Sequence, residues 1–376
     1  MVDSSSTRPE PEAAGRPEST HLPAGGAPLV VRFGAFGDMI MLVPQLRALC
    51  RRHGRPVDVI SSGLWVEPLL QSLACVGTIR LINSRRTPFW LNPSQWRLVA
   101  WLRTRAAGPV YVCEHDAKTY RLLGLGRVAK EWICPLPALP RRPEEHVVEH
   151  LLRFARQTPA ALGGETLAHL TGPPPDHRLE PTAAAREDCA AWLAALGLGR
   201  AGEPMVLIHP GNKKTMRRGD PRRARNIKYW PAENWAAVIR GVRSALPASR
   251  VLVSGTARER PLAASIVQAC ADPQVVNLAG QLSIPRLLAL QVRAHSMISV
   301  DTGPSHAATA VGCPVVVLIV GNALASCGPR PTSAPAQVVV SPVSPATGDS
   351  APLTAITPQE VLAAWRRLPG VPGGEN

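Results

Sequence analysis

The sequence predicts an α/β protein made of two domains, each built around a mostly parallel sheet. Three observations lead to this prediction. Short apolar runs alternate with helical stretches along the chain, as they do in βαβ units. A segment rich in proline and glycine, residues 171–176, interrupts the alternation near the middle. The length of 376 residues is enough for two domains that each bury a core.

The first half opens with an apolar run over residues 29–33, a glycine-containing turn over 34–38 and then a helix. Further strands are predicted over 57–60, 76–82 and 110–112, and a further helix over 146–157. We assign residues 28–172 to an N-terminal domain. Residues 1–27 are rich in Ser, Pro, Glu and Gly, which predicts a disordered leader.

The second half, residues 177–355, is predicted to form the C-terminal domain. Its expected strands cover residues 205–209, 250–254, 296–300 and 314–320, and its expected helices 182–196, 232–245, 261–270, 284–294 and 304–311. Residues 330–355 are rich in Pro, Ser and Ala and are interpreted as low in complexity. A final helix is expected within 356–376, because Thr357, Pro358 and Glu360 form a helix-start pattern.

Composition excludes several classes of protein. No apolar stretch approaches the roughly 18 residues of a membrane span, and no secretory signal is recognisable, so we expect a soluble cytoplasmic protein. The eight cysteines form no Cys-x-x-Cys pair, which favours reduced thiols over disulfides or a zinc site.

The formal net charge of +15 predicts an anionic partner. Charge alone leaves nucleic acid, a phosphorylated glycan and a membrane surface open. Aromatic residues make up only 4% of the chain, and no RNP-like strand or zinc finger is present. We therefore expect no nucleic-acid partner.

The first candidate site is the turn Gly34-Ala35-Phe36-Gly37-Asp38 between a strand and a helix. Its glycines allow a ligand to approach the backbone, and the helix start offers N–H groups to an anion. The full dinucleotide fingerprint G-x-G-x-x-G is absent, so a nicotinamide enzyme is a poor fit. Asp38 has two interpretations: a first-turn acid that complements the helix dipole, or a general base at the carboxyl end of a strand.

The second candidate site is the run of residues 301–306, Asp-Thr-Gly-Pro-Ser-His, at another strand-to-helix turn. The Thr302 and Gly303 amides, with Pro304 starting the helix, form a seat for an anion, and Ser305 adds a hydroxyl. A diphosphate fits there. Asp301 and His306 either contact that ligand or serve only as local caps.

A third candidate follows the strand that ends at His209. Residues 213–228 contain eight Lys or Arg and one Asp, in a segment too polar for regular structure. The alternative is a solvated loop. A fourth candidate is Glu259, which follows the strand over 250–254 and either accepts hydrogen bonds from a ribose diol or faces water.

Taken together, these segments resemble glycosyltransferase family 9, the bacterial lipopolysaccharide heptosyltransferases. Residues 32–38 followed by 44–49 are similar to the family's opening motif, residues 228–231 with Trp235 to its Lys-x-Trp-Pro segment, and residues 301–306 to its Asp-Thr-Gly-x-x-His signature. The resemblance covers about residues 28–330.

The resemblance implies a GT-B fold, in which two Rossmann-like domains face each other across a cleft. The N-terminal domain would bind the acceptor and the C-terminal domain the nucleotide sugar, and the final helix would return to the N-terminal domain, as it often does in GT-B chains. The implied activity is inverting sugar transfer from a nucleotide sugar, ADP-heptose, to an anionic acceptor such as the lipopolysaccharide inner core. No separate cofactor and no metal are implied, and a peripheral contact with the inner face of the cytoplasmic membrane stays open.

The resemblance also gives roles to the candidate residues. Asp38 matches the catalytic base and Lys228 the phosphate-binding lysine. The donor site would comprise Glu259, Asp301, Thr302, Gly303, Ser305 and His306, with Lys213 and Lys214 beside the diphosphate. The acceptor would contact Gly34, Gly37, Arg217 and Arg218.

Two departures from the family pattern bear on the acceptor. Met41 stands where several members carry His, and residues 209–228 are longer and more basic than usual. Two other functions remain open at this point. One is a nucleotide-sugar epimerase of the same fold, and the other is a sugar-binding protein without catalytic activity.

Overall fold

The computed structural model describes residues 25–84, 87–163, 173–212, 226–344 and 346–371. These residues form two parallel sheets, and helices pack apolar side chains against both faces of each sheet. The predicted fold class is confirmed. Within the described ranges, no helix is long and apolar enough to cross a membrane.

The N-terminal sheet has the order β3-β2-β1-β4-β5. Its strands are β1 (Leu29–Val31), β2 (Val57–Ser61), β3 (Val76–Leu81), β4 (Val110–Val112) and β5 (Ile133–Pro135). Its helices are α1 (Phe36–His53), α2 (Val66–Leu70), α3 (Pro93–Thr104), α4 (Ala117–Leu125) and α5 (Val147–Phe154). The strand order reverses between β1 and β4, and such a switch point opens a crevice at the carboxyl ends of the strands.

The C-terminal sheet has the order β11-β10-β9-β6-β7-β8. Its strands are β6 (Met205–His209), β7 (Arg250–Val253), β8 (Val275–Asn277), β9 (Ser296–Val300), β10 (Val315–Ile319) and β11 (Ala336–Val340). Its helices are α6 (Ala183–Ala195), α7 (Ala232–Ala245), α8 (Arg260–Cys270), α9 (Ile284–Arg293), α10 (Gly303–Val311), α11 (Leu324–Cys327) and α12 (Pro358–Arg366). Here the switch point lies between β6 and β9.

The two domains meet where α1 packs against α10. A Cβ atom on Gly37 would lie 2.8 Å from Cδ2 of His306, and one on Gly303 would lie 2.5 Å from Cδ1 of Phe36. Ala307 and Ala310 of α10 join the buried core that surrounds α1. The starts of the two helices that follow the candidate turns are therefore in direct contact.

The predicted interdomain segment runs along this contact; residues 171 and 172 lie outside the described ranges. Arg47 of α1 donates hydrogen bonds to the carbonyl oxygens of Asp176 at 2.9 Å and Arg178 at 2.7 Å. The backbone N–H of Leu179 donates to the carbonyl of Ala310 at 2.9 Å. The segment thus connects the two domains while it touches both interface helices.

Three expectations are corrected by the structure. The segment interpreted as low in complexity contains β11, whose residues pair in parallel with β10.

The predicted leader lies outside the described residues except for its last three. In that part, the backbone N–H of Gly26 donates a hydrogen bond to the Ala107 carbonyl at 2.6 Å. These last three residues therefore continue β1 towards its amino end and contact the segment before β4.

The third correction concerns the final helix. The buried side chains of α12 join the core of the C-terminal domain, and Trp365 Nε1 donates to Ser296 Oγ at 2.9 Å. The expectation that this helix crosses back to the N-terminal domain is wrong for its described part, because the C-terminal domain already buries its apolar face.

Candidate active site between the domains

Asp38 lies on the N-terminal side of the cleft, in the first turn of α1. Its Oδ2 accepts a hydrogen bond from the Ala35 N–H at 2.7 Å, and its Oδ1 lies 3.9 Å from Nη2 of Arg32. The side chain is 36% exposed. Gly34 allows this arrangement, because a Cβ atom there would lie 2.5 Å from that of Asp38. Asp38 is thus oriented by the turn and accessible to a ligand.

Two charged residues that contact Asp38 or the turn before it were not among the site residues predicted from the sequence. Arg32 follows β1 directly, and its Nη1 donates to the Cys113 carbonyl at 3.2 Å. Glu114 follows the end of β4, and its Oε1 accepts from the Phe33 N–H at 2.8 Å. Their position just beyond adjacent strand ends is the signal that would have identified them.

On the C-terminal side, Asp301 lies between Lys228 and His306. Lys228 Nζ forms an ion pair with Oδ2 of Asp301, and Nε2 of His306 lies 3.6 Å from Oδ1. Burial acts to raise the pKa of Asp301, but the hydrogen bond to His306 and the charge of Lys228 outweigh it, so the pKa is lowered. A buried carboxylate therefore holds the lysine and the imidazole beside the start of α10.

The start of α10 is the anion seat expected from the sequence. Thr302 precedes the helix and Gly303 is its first residue, and both are half-buried. The N–H groups at such a position favour a negatively charged ligand. The Ser305 hydroxyl is fully buried; it donates to the Thr302 carbonyl at 2.7 Å and accepts from the Thr302 N–H at 3.2 Å. Ser305 thus stabilises the turn.

Glu259 lies beyond the end of β7 and is 3% exposed. Its Oε2 accepts from the backbone N–H of Thr256 at 2.8 Å and from the Thr256 hydroxyl at 2.9 Å. A Cβ atom on Gly211 would overlap its carboxylate, so the glycine after β6 lets the two loops meet. A contact between Glu259 and a ribose stays a prediction.

His209 is the last residue of β6, at the same end of the sheet as Glu259. Its Nδ1 lies 3.0 Å from Ser254 Oγ, and that hydroxyl donates to the Ile208 carbonyl at 3.1 Å. Burial lowers the pKa of His209, and the charge of Glu259 acts against that shift.

The basic segment was predicted to start and end at the site. Lys213, Lys214, Arg217 and Arg218 lie outside the described residues. The two described ends meet: Asn226 Nδ2 donates to Asn212 Oδ1 at 3.0 Å, and Asn212 Nδ2 donates to the Lys228 carbonyl at 3.1 Å. The two described residues that flank the gap, Asn212 and Asn226, therefore lie next to Lys228.

Comparison with known proteins identifies the family. The model of glycosyltransferase family 9 (heptosyltransferase) matches residues 139–326, half of the chain. The chain belongs to glycosyltransferase family 9. Lipopolysaccharide heptosyltransferase 3 of Escherichia coli is 37% identical to this family member over 97 residues, which are 25% of this chain and 28% of that protein. The aligned part thus spans less than a third of that relative.

Solved structures share the fold of this family 9 chain. E. coli ADP-heptose lps heptosyltransferase II has a TM-score of 0.67 and 19% identity, over 90% of this chain and 97% of that one. A family 9 glycosyl transferase from Veillonella parvula has a TM-score of 0.69 and 14% identity, over 92% and 97%. E. coli heptosyltransferase WaaC with ADP has a TM-score of 0.61 and 16% identity, over 89% and 97%. The two-domain GT-B fold predicted from the sequence is confirmed.

Proposed function

We propose that this family 9 member is an inverting, metal-independent glycosyltransferase that moves a heptosyl group from ADP-heptose to an anionic saccharide such as the lipopolysaccharide inner core. One observation carries the proposal. The turn that holds Asp38 abuts the helix start that holds His306, and Lys228 and Asp301 lie beside that helix start. A candidate base and a candidate diphosphate seat thus face the same cleft. The similar E. coli proteins are heptosyltransferases by name, which supports the heptosyl donor.

In the proposed reaction, Asp38 accepts the proton of an acceptor hydroxyl as the oxygen attacks the anomeric carbon. The bond between that carbon and the diphosphate breaks on the opposite face, so the anomeric configuration inverts. The cleft supplies the orientation that this displacement needs.

The departing ADP gains negative charge, which the C-terminal side is arranged to stabilise. Lys228 lies next to the start of α10. A hydrogen-bond donor that is held in place before the reaction stabilises the developing negative charge without having to reorganise. Asp301 keeps Lys228 oriented. We further propose that no separate cofactor and no metal take part, and that the protein acts in the cytoplasm.

The test of this function is the formation of ADP from ADP-heptose in the presence of EDTA, with and without a Kdo-bearing acceptor. The proposal predicts ADP release that depends on the acceptor and is insensitive to EDTA, with one inverted product. Nucleotide release without acceptor would instead identify an epimerase. Saturable donor binding with no turnover under either condition would identify a binding protein.

A second prediction concerns the basic segment, whose ends meet beside Lys228. Replacing Arg217, Arg218, Arg222 and Arg223 by Ser should raise the acceptor KM and flatten its salt dependence. The reason is that exposed charges attract an anionic acceptor and are screened within about 8 Å at physiological ionic strength. The matched control replaces Arg200, an exposed arginine of the same domain, by Ser. A wild-type salt profile in the fourfold variant would mean that these arginines do not recruit the acceptor.

A further inference from the structure

His146 joins the two domains, in addition to the contact of α1 with α10. It directly precedes α5, and its Nε2 lies 3.0 Å from the carbonyl oxygen of Gly328 in the C-terminal domain. Its Nδ1 accepts a hydrogen bond from the backbone N–H of Val148 at 3.2 Å, which caps the start of α5. Because Nδ1 accepts, and because a carbonyl oxygen can only accept, Nε2 carries the hydrogen and donates to Gly328. Both nitrogens of the ring are thus used, one in each domain.

The hydrogen bond from His146 to Gly328 is buried. His146 is 4% exposed, and burial and the charge of Arg330 lower the pKa of its imidazole, which favours the neutral ring that both hydrogen bonds require. A second contact lies nearby, where Arg330 Nη2 is 2.6 Å from Glu149 Oε1, but both of these side chains are exposed. An exposed ion pair contributes little, whereas a broken buried hydrogen bond leaves polar groups without partners. Of the two contacts, His146 therefore holds the domains together more strongly.

The partner of His146 belongs to the loop that follows β10. We call residues 320–330 the β10 loop; it contains α11, which packs against α5. In the sheet, Leu318 of β10 lies opposite Val300 of β9, and the Leu318 carbonyl accepts the N–H of Asp301 at 2.9 Å. The β10 loop therefore leaves the sheet beside Asp301, at the end where the anion seat lies.

The chain that follows the β10 loop is tied to α10. Thr332 Oγ1 donates to the Thr309 carbonyl of α10 at 2.6 Å, and the Thr309 hydroxyl donates to the His306 carbonyl at 2.9 Å. Both ends of the loop are thus fixed to elements that carry the donor half of the site. Between these ends, His146 of the other domain holds Gly328.

We propose that His146 is a positioning residue for the donor, because it holds the β10 loop in the arrangement to which the nucleotide diphosphate binds. This inference deepens the proposed function and rests on it for the identity of the donor. Without the hydrogen bond to Gly328, the loop would occupy other arrangements as well. Only the fraction of chains with the loop in place would then bind the nucleotide.

Two substitutions separate this role from that of a helix cap. His146→Ala removes both hydrogen bonds of the ring. His146→Asn keeps an oxygen that can accept the Val148 N–H and cap α5, but its side chain is too short to reach Gly328. The matched control is His150→Asn, because His150 lies on the same helix and its Nε2 is 2.8 Å from the carbonyl oxygen of Leu139, within the N-terminal domain. This control loses the same kind of hydrogen bond without affecting the β10 loop.

The first measurement follows Cys327, a half-buried thiol of the β10 loop, by alkylation with iodoacetamide and mass spectrometry of the full chain without ligand. We expect Cys327 to react about fivefold faster in His146→Asn than in the wild type, while Cys75, a half-buried thiol of the N-terminal domain, reacts at the wild-type rate. The second measurement is calorimetric titration of ADP, whose dissociation constant should rise about threefold or more. His150→Asn should match the wild type in both measurements.

An unchanged reaction rate of Cys327 in His146→Asn would overturn the proposal, because the hydrogen bond would then not hold the loop. A faster reaction with unchanged ADP affinity would also overturn it, since the arrangement of the loop would not affect the donor. Equal effects in His150→Asn would indicate a general weakening of α5 and would count against it too. If the wild type binds no ADP, the proposed function fails and the donor role of His146 fails with it, while the alkylation of Cys327 needs no nucleotide and reports on the loop alone.

Discussion

Replacing Asp38 by Asn is expected to lower turnover by about 10²–10⁴-fold while the affinity for ADP stays unchanged. The amide oxygen of Asn can still accept the hydrogen bond from Ala35, so the turn before α1 keeps its shape. The variant loses the ability to take a proton and the negative charge that faces Arg32. The measurement is kcat with saturating acceptor, together with calorimetric titration of ADP.

A matched control for this variant is Asp188→Asn, because Asp188 is an exposed carboxylate of α6 that pairs with Arg286. It should keep wild-type turnover. Near-normal turnover in Asp38→Asn would remove Asp38 from the mechanism and leave it as a helix-start residue. A loss of ADP binding would place Asp38 in the donor site instead.

Replacing Lys228 by Met is expected to lower kcat by about 10²–10³-fold, because one positioned donor to the leaving group is removed. The same change leaves the buried Asp301 carboxylate without its ion-pair partner, which should also reduce the free energy of unfolding by roughly 1–3 kcal/mol. This figure takes account of the partial exposure of the lysine, 31%.

The double variant Lys228→Met with Asp301→Asn separates the two effects. Removing the carboxylate charge should restore most of the stability in urea unfolding but none of the turnover. Lys130→Met, at an exposed lysine of the N-terminal domain, is the control. If the double variant recovers turnover with stability, Lys228 acts through the fold and not on the leaving group.

The pH dependence of this ion pair follows from the lowered pKa of Asp301. A carboxylate whose folded-state pKa lies below its ordinary value of 3.8 stabilises the fold at neutral pH. That contribution is lost only as the pH falls below 3.8 and through the lowered value. Turnover near neutral pH is therefore not expected to depend on the protonation of Asp301.

Local patterns in the sequence were sufficient for most of the fold. The buried parallel strands β6 and β9 are mostly apolar, and their predicted bounds agree with the structure. The strands β5, Ile-Cys-Pro, and β8, Val-Val-Asn, were not predicted, because each ends in a residue that interrupts the apolar run, unlike the equally short β1 and β4. Helix α3 was also missed, although Asn92 and Pro93 form a helix-start signal and the Asn92 side chain accepts from the Ser94 N–H.

The candidate site was harder to predict, because its contacts depend on the packing of distant elements. The motifs that hold Asp38 and Asp301 were visible as turns after strands. The contact of Gly37 with His306, however, arises only when α1 docks on α10. Arg32 and Glu114 become neighbours of the site because β1 and β4 are adjacent in the sheet. The roles of Glu259 and of the basic segment stay predictions.

A crystal structure of the chain with ADP would show where the donor binds. We expect the diphosphate at the start of α10, within hydrogen-bonding distance of the Gly303 N–H and Lys228 Nζ, on the side of the cleft opposite Asp38. ADP bound to the N-terminal domain, or at a place remote from Lys228 and Gly303, would contradict it.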